Sequence, residues 1–164
     1  MTKVGCLVAA GVLVLVLLMG AGGASYGACG ALLEQGPARL VVANRTVEKA
    51  VALCAHFRAH EHAGALSASA YEALSEDPFD LVINATSAGL SGEMPALPPA
   101  VFATGATAYD MVYGTTTPFM SFAAAHGAQV ADGLGMLVEQ AAESFHLWRG
   151  VRPDTQPVIA LLRR

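Results

Sequence analysis

The residues best suited to chemistry sit at two turns. Gly20-Ala21-Gly22-Gly23-Ala24 leaves an apolar run and enters a helical pattern. There the first glycine permits a tight reversal and the second lets backbone N–H groups approach a pyrophosphate. The helix N-terminus adds unpaired N–H groups and a favourable dipole. A glycine turn can also serve close packing alone. The strand before it, the helix after it and a second strand about twenty residues on favour a dinucleotide. The second strand ends in Asn44-Arg45-Thr46, with Lys49 one turn later. A site for NAD usually places a carboxylate there to accept hydrogen bonds from the ribose hydroxyls. A carboxylate would repel a 2′-phosphate, whereas a neutral amide beside a guanidinium attracts one, and the guanidinium can stack on adenine. The spacing therefore predicts NADP(H) in preference to NAD(H).

Other reactive residues carry less. His60-Glu61-His62 resembles half of a metal site, but a site needs three or four converging ligands, and a solvated turn accounts for this run. Cys6, Cys29 and Cys54 are odd in number and widely spaced, which gives neither a disulfide framework nor a CxxC pair and fits a reducing cytosol. His126 falls at a helix end, where a cation suits the dipole. His56 and His146 lie in helices without an acidic partner by spacing. Glu139 and Glu143 read as a solvated face. Trp148 reads as core, and Asp110, at a strand end, as a residue that serves the fold.

The elements that position these turns alternate regularly. Val12 to Leu18 is a valine-rich apolar run suited to a strand buried on both faces. A helix from Ala24 ends at Gly36-Pro37, and Arg39–Ala43 is a strand. Thr46 is a candidate N-cap for a helix through Phe57. His60 to Ala68 is a connection with room for a short strand, and Ser69 to Leu74 reads as a short helix. Phe79–Asn84 is a buried strand, opened by Asp77-Pro78. A glycine- and proline-rich loop follows over Gly89–Pro99. Ala106–Met111 is a strand, Pro118 opens a helix to about His126, and Gln129-Val130 has room for a strand. Gly135–Trp148 is the most amphipathic helix, with Leu137, Val138, Ala141, Ala142, Phe145 and Trp148 on its apolar side. Pro157–Leu162 closes the chain. The alternation predicts an α/β, Rossmann-like, doubly wound and mainly parallel sheet with helices on both faces. It reads as one domain over residues 12–164, with residues 1–11 unassigned.

The chain has 164 residues, enough for one domain with a real core. Hydrophobic residues make up 54% and charged residues 13%, which excludes a disordered chain. A net charge of −4 argues against a general nucleic-acid binder. Val4–Met19, preceded by Lys3, also admits a targeting or membrane-segment reading. Gly5 and Gly11 break that run, and it feeds directly into the glycine turn, so a cytoplasmic protein with no membrane partner is the expectation.

Taken in order, the motifs resemble the C-terminal NADP-binding domain of the shikimate dehydrogenase family. They are Gly20–Ala24, Asn44-Arg45-Thr46, Asn84-Ala85-Thr86-Ser87-Ala88-Gly89, Asp110-Met111-Val112-Tyr113, Thr117-Pro118-Phe119 and Gly133-Leu134-Gly135-Met136-Leu137-Val138-Glu139-Gln140-Ala141-Ala142. They cover the chain from about residue 12 to its end. The resemblance implies an NADP-dependent oxidoreductase of aromatic amino acid biosynthesis, the shikimate pathway, converting 3-dehydroshikimate and NADPH to shikimate and NADP. It implies that Gly20, Ala21, Gly22, Gly23 and Ala24 hold the pyrophosphate. Asn44, Arg45, Thr46 and Lys49 would form the 2′-phosphate pocket. Asn84, Ala85, Thr86 and Ser87 would line the cofactor crevice. Met111 and Gly133 would flank the nicotinamide with Met136 nearby, and Tyr113 and Gln140 would reach the ring acid, shikimate or quinate.

The departures bear on activity. The family's catalytic Lys–Asp pair belongs to an N-terminal domain that residues 1–11 are too short to supply, so no catalytic residue is assigned and no metal is expected. Tyr26 stands where the family commonly has Arg, and the Gly114-Thr115-Thr116 loop is one residue short. The expectation is the NADP(H)-binding half of a shikimate dehydrogenase, inactive alone, that self-associates or needs the N-terminal domain. The alternative is a stand-alone NADP(H)-binding module or degenerate fragment without turnover.

Overall fold

The computed structural model describes residues 14–74 and 78–163. Residues 1–11, the first two residues of the apolar run and Asp77 lie outside them. Six parallel strands form one sheet in the order β3-β2-β1-β4-β5-β6. They are β1 (Leu15–Met19), β2 (Arg39–Ala43), β3 (Leu66–Ser69), β4 (Phe79–Asn84), β5 (Phe102–Asp110) and β6 (Gln129–Ala131). The helices are α1 (Gly23–Glu34), α2 (Val47–His56), α3 (Pro118–Ala125), α4 (Leu134–Arg149) and α5 (Gln156–Leu162). This is the doubly wound order, in which the order of strands reverses between β1 and β4 and opens a crevice at the carboxyl ends of the strands.

Alternation along the strands separates two cores. Leu17, Met19, Val41, Ala43, Phe79 and Val82 face α3, where Phe119 and Ala123 meet them. Val16, Leu18, Leu40, Val42, Leu81 and Ile83 face the other way, onto Cys29 and Leu33 of α1 and Ala50 and Leu53 of α2. Because both faces are covered, β1 and Leu40–Ala43 of β2 are apolar without interruption, which is why the sequence shows a run there instead of an alternation. At the amino end of β1, Leu15 N–H donates to Asp80 Oδ2 over 2.8 Å. The Arg39 guanidinium lies 5.9 Å over the Phe79 ring.

β5 begins at Phe102, four residues before the expected Ala106, and three other elements differ from the sequence expectation. Ser69 ends a strand, and only a single 3-10 turn, Tyr71–Ala73, follows it. Pairing of Leu40–Ala43 with Leu66–Ser69 extends the sheet by one strand, and this outweighs the helical pattern. The Gly89–Pro99 loop carries 3-10 turns at Ala88–Ser91 and Pro99–Val101. The apolar side of α4 is buried only at Leu134, Val138 and Ala142. Phe145 is 46% exposed and Trp148 79%, so Trp148 is not core. The last turn of α4 is exposed, and α5 packs on this helix.

Candidate functional site

β1 delivers the glycine turn to the crevice. Gly20 takes φ +100°, and its N–H donates to Ala43 O over 2.8 Å, which ties the turn to the end of β2. A Cβ there would lie 3.1 Å from Ala85 O and 3.2 Å from Thr86 Cγ2. Gly22 and Gly23 differ: both are exposed, and a Cβ on either would meet nothing within 4 Å. Gly22 is also the N-cap of α1. No side chain caps this helix end, so its N–H groups face the crevice unpaired by a cap. Ser25, fully buried, takes the third position of the glycine spacing, where a small residue permits close helix–strand contact.

A cleft of about 700 Å³ opens over this turn. It is lined by all of Gly20–Ala24, by Asn44, Arg45, Thr46 and Lys49, and by Ala85, Thr86 and Ser87. Asn44 Nδ2 donates to Thr46 O over 2.8 Å, which shapes the turn before α2. Thr46 is the N-cap of α2 but its side chain makes no capping hydrogen bond. Arg45 and Lys49 are both exposed, and among the described residues neither is paired with a carboxylate. Two cations beside unpaired helix N–H groups suit an anion with more than one phosphate.

Seven lining residues were not among the expected site residues: Tyr71, Glu72, Ala88, Glu93, Met94, Pro95 and Ala96. Tyr71 is buried beneath the cleft, and burial pushes its phenol up to about 12. A hydrogen bond with the Gly20 backbone and the nearby Arg45 charge pull the other way. Pro95, within a glycine- and proline-rich loop returning from β4, was the one available signal for the opposite wall.

Asn84 does not line the cleft. It is 1% exposed at the end of β4, where its Nδ2 donates to Asp110 Oδ2 over 3.0 Å. Its Oδ1 accepts from Thr86 N–H over 3.1 Å and from Thr86 Oγ1 over 2.7 Å. Asp110 is fully buried and also accepts from Val112 N–H over 2.9 Å and Thr117 Oγ1 over 2.6 Å. Thr117 in turn caps α3, accepting from Met120 N–H over 3.2 Å. A buried carboxylate is tolerable only with such partners.

The other named residues gather beyond the cleft lining, where the β5 loop meets the start of α4. Gly133 N–H donates to Val112 O over 3.1 Å. A Cβ on Gly133 would come within 2.7 Å of the Met111 carbonyl carbon, so these two backbones touch in a way only glycine permits. Met111 is half-buried, whereas Met136, Tyr113 and Gln140 are exposed. The α4 face is no simple solvated surface either. Arg152 bonds both Glu139, at 2.9 Å, and Glu143, and Thr155 Oγ1 donates to Glu139 over 2.7 Å. The Thr155 and Arg152 bonds hold the Glu139 carboxyl below its ordinary range.

His60 and His62 sit in the turn after α2, where His60 Nδ1 accepts from His62 N–H over 3.3 Å. His126 caps the end of α3, its Nδ1 2.7 Å from Phe122 O. No helix among the described residues is long and apolar enough to cross a membrane.

Comparison with known proteins bears on the family and the fold. Residues 12–91 match the family Shikimate / quinate 5-dehydrogenase, and residues 133–163 match the Shikimate 5'-dehydrogenase C-terminal domain. The shikimate dehydrogenase (NADP(+)) of Alkalilimnicola ehrlichii is 59% identical over 150 residues, covering 90% of this chain and 54% of that protein. That of Methylobacillus flagellatus is 56% identical over 149 residues, with the same coverages. The crystal structure of an Ael1 enzyme from Pseudomonas putida superposes with TM-score 0.83 at 48% identity, covering 97% of this chain and 60% of that one. A Thermus thermophilus shikimate 5-dehydrogenase in complex with NADP(H) and shikimate gives TM-score 0.75 at 36% identity, covering 99% and 60%. The chain thus spans about half the length of the curated relatives it matches.

Proposed function

This chain belongs to the shikimate dehydrogenase family, and from that premise we propose that it is the NADP(H)-binding half of a shikimate dehydrogenase, interconverting 3-dehydroshikimate and shikimate. The observation that carries the reading is the cleft. One end is the uncapped start of α1 with its open Gly22 and Gly23, and the other is Arg45 with Lys49. The amides at Gly22–Ala24 hold the pyrophosphate, and Arg45 and Lys49 neutralise the 2′-phosphate. Ala85, Thr86 and Ser87 wall the crevice. Met111, Gly133 and Met136 border the nicotinamide, and the Tyr113 hydroxyl and Gln140 amide orient the hydroxyls of the ring acid.

The nicotinamide, when bound, supplies or accepts the hydride. The hydroxyl proton needs a separate acid–base group. Asp110 is not that group, because its carboxylate is buried and takes three donors from the protein itself. The Lys–Asp pair of the family then acts from outside residues 14–163. The exposed apolar face of α4 and α5, including Leu147, Trp148, Leu161 and Leu162, is where this chain self-associates or meets that other half.

The test follows NADPH absorbance with shikimate and NADP⁺, for the chain alone and for the chain mixed with the N-terminal half of a curated relative. The expected result is no turnover alone and shikimate-dependent NADPH in the mixture. Turnover by the chain alone overturns the assignment of the acid–base pair. NADP⁺ binding with no turnover in any mixture favours a stand-alone NADP(H)-binding module.

A further inference from the structure

We propose that Asp110 is the positioning residue that sets the nicotinamide side of the site, by holding the end of β4 and both ends of the loop after β5 on one carboxylate. The inference rests on the NADP(H) reading of the site. Its two oxygens reach different elements. Oδ2 accepts from Asn84 Nδ2 at 3.0 Å and from Thr117 Oγ1 at 2.6 Å, while Oδ1 accepts from Val112 N–H at 2.9 Å. Through Asn84 the carboxylate governs Thr86, whose N–H and hydroxyl donate to Asn84 Oδ1 and which lines the cleft. Through Val112 it governs the loop carrying Met111 and Tyr113, and Val112 O in turn takes the Gly133 N–H at the start of α4. Through Thr117 it governs the first turn of α3, and the Thr117 side chain contacts the space beside Gly89 in the β4 loop.

The chemistry explains why an ionised aspartate is needed. All three partners arrive as donors, and only a carboxylate accepts at every position. An isosteric amide must turn its NH₂ toward at least one donor. If it faces Val112, the nicotinamide loop is released; if it faces Asn84, the Thr86 wall is released. The network lies wholly at the carboxyl ends of β4 and β5, away from Arg45 and Lys49, which sit after β2. Asp110 therefore acts on one end of the cofactor and not on the other.

Two readouts separate this role from general support of the fold. The first is binding of NADP⁺ against adenosine 2′,5′-bisphosphate, which lacks the nicotinamide half. Asp110→Asn lowers NADP⁺ affinity at least tenfold and leaves adenosine 2′,5′-bisphosphate within twofold. The second is amide hydrogen exchange, which needs no ligand. In Asp110→Asn the Thr86, Val112 and Met120 amides lose at least tenfold protection together, while Leu40–Ala43 amides keep theirs. The exchanged pair Asn84→Asp with Asp110→Asn rebuilds the contacts, because a carboxylate at 84 accepts from Thr86 and from the amide at 110, whose oxygen accepts from Val112. It restores both readouts at least in part. Thr117→Val, which removes one donor only, serves if Asp110→Asn fails to fold, and shows the same selectivity at Val112 and Met120. Equal loss of both ligands, a uniform rise in exchange or no recovery in the exchanged pair overturns the proposal. If the unaltered chain binds neither ligand, the NADP(H) reading fails, and with it the assignment of this end to nicotinamide, whatever the exchange data show of the loops.

Discussion

Gly22→Ala and Gly20→Ala separate binding from folding at a single turn. Gly22 has φ −93° and ψ −174°, open to alanine, and its added Cβ meets nothing within 4 Å. Loss of glycine's freedom in the unfolded chain stabilises by about 0.4–1 kcal/mol. Alanine is a poorer N-cap than glycine by roughly the same amount. The two offset, so stability stays within about 1 kcal/mol of the original. Binding does not survive as well, because the methyl occupies the space over the α1 N–H groups that the pyrophosphate needs. Hydrogen bonds to a charged group are worth about 1.5–3 kcal/mol each. Losing one lowers NADP⁺ affinity at least about tenfold. Gly20→Ala does the reverse. Its φ of +100° costs a non-glycine residue about 1–3 kcal/mol, and the 3.1 Å approach to Ala85 O adds a packing penalty of similar size. Total stability for such domains is about 5–15 kcal/mol, so a loss of roughly 2–6 is visible in any denaturant titration. The assay is urea unfolding of both variants beside calorimetric NADP⁺ titration. Gly22→Ala that unfolds as early as Gly20→Ala, or that binds NADP⁺ like the original, refutes the division of labour.

Gly133→Ala forces the Met111 backbone away and breaks the Gly133–Val112 hydrogen bond, at about 2–4 kcal/mol, read from the urea midpoint. Alkali destabilises the fold through two buried acids. Burial pushes the Cys29 thiol from 9.0 up to about 12 and the Tyr71 phenol from 10.0 up to about 12. Both stay protonated in the folded chain while the unfolded chain ionises, so stability is full below pH 9 and falls as pH rises toward 12. Tyr71→Phe flattens the part of that fall above pH 10, as followed by the urea midpoint against pH. Leu147→Gln with Trp148→Gln, at side chains 76% and 79% exposed, leaves stability within about 0.5 kcal/mol and lowers the apparent mass in sedimentation. An unchanged mass that is already monomeric removes this face from the account of self-association.

The sheet was legible because its central strands are buried on both faces. Arg39–Ala43 and Phe79–Asn84 have the bounds their apolar runs suggest, and Thr117-Pro118 opens α3 with its hydroxyl on Met120 N–H. The phosphate turn was legible too, since its glycines must follow a strand. What stayed hidden depends on contacts distant in sequence. β3 was legible only as room for a short strand before Ala68, because Leu66–Ser69 is partly buried and no run marks it, and pairing with β2 fixes its place. Tyr71 enters the cleft floor only because that strand delivers it under Gly20. The resemblance placed Asn84 in the cleft, but its partner Asp110 lies 26 residues on and draws it inward. Trp148 looked like core because helical periodicity shows which residues share a face and not how far along the helix that face is covered.

The central claim is that this chain reads a 2′-phosphate with Arg45 and its neighbours. The most direct measurement is calorimetric titration of the purified chain with NADP⁺ and with NAD⁺, repeated for Arg45→Ala. The account predicts NADP⁺ at least about tenfold tighter than NAD⁺, a difference of 1.4 kcal/mol or more, with most of that preference gone in Arg45→Ala. Equal affinities for the two cofactors, or binding of neither, would contradict it.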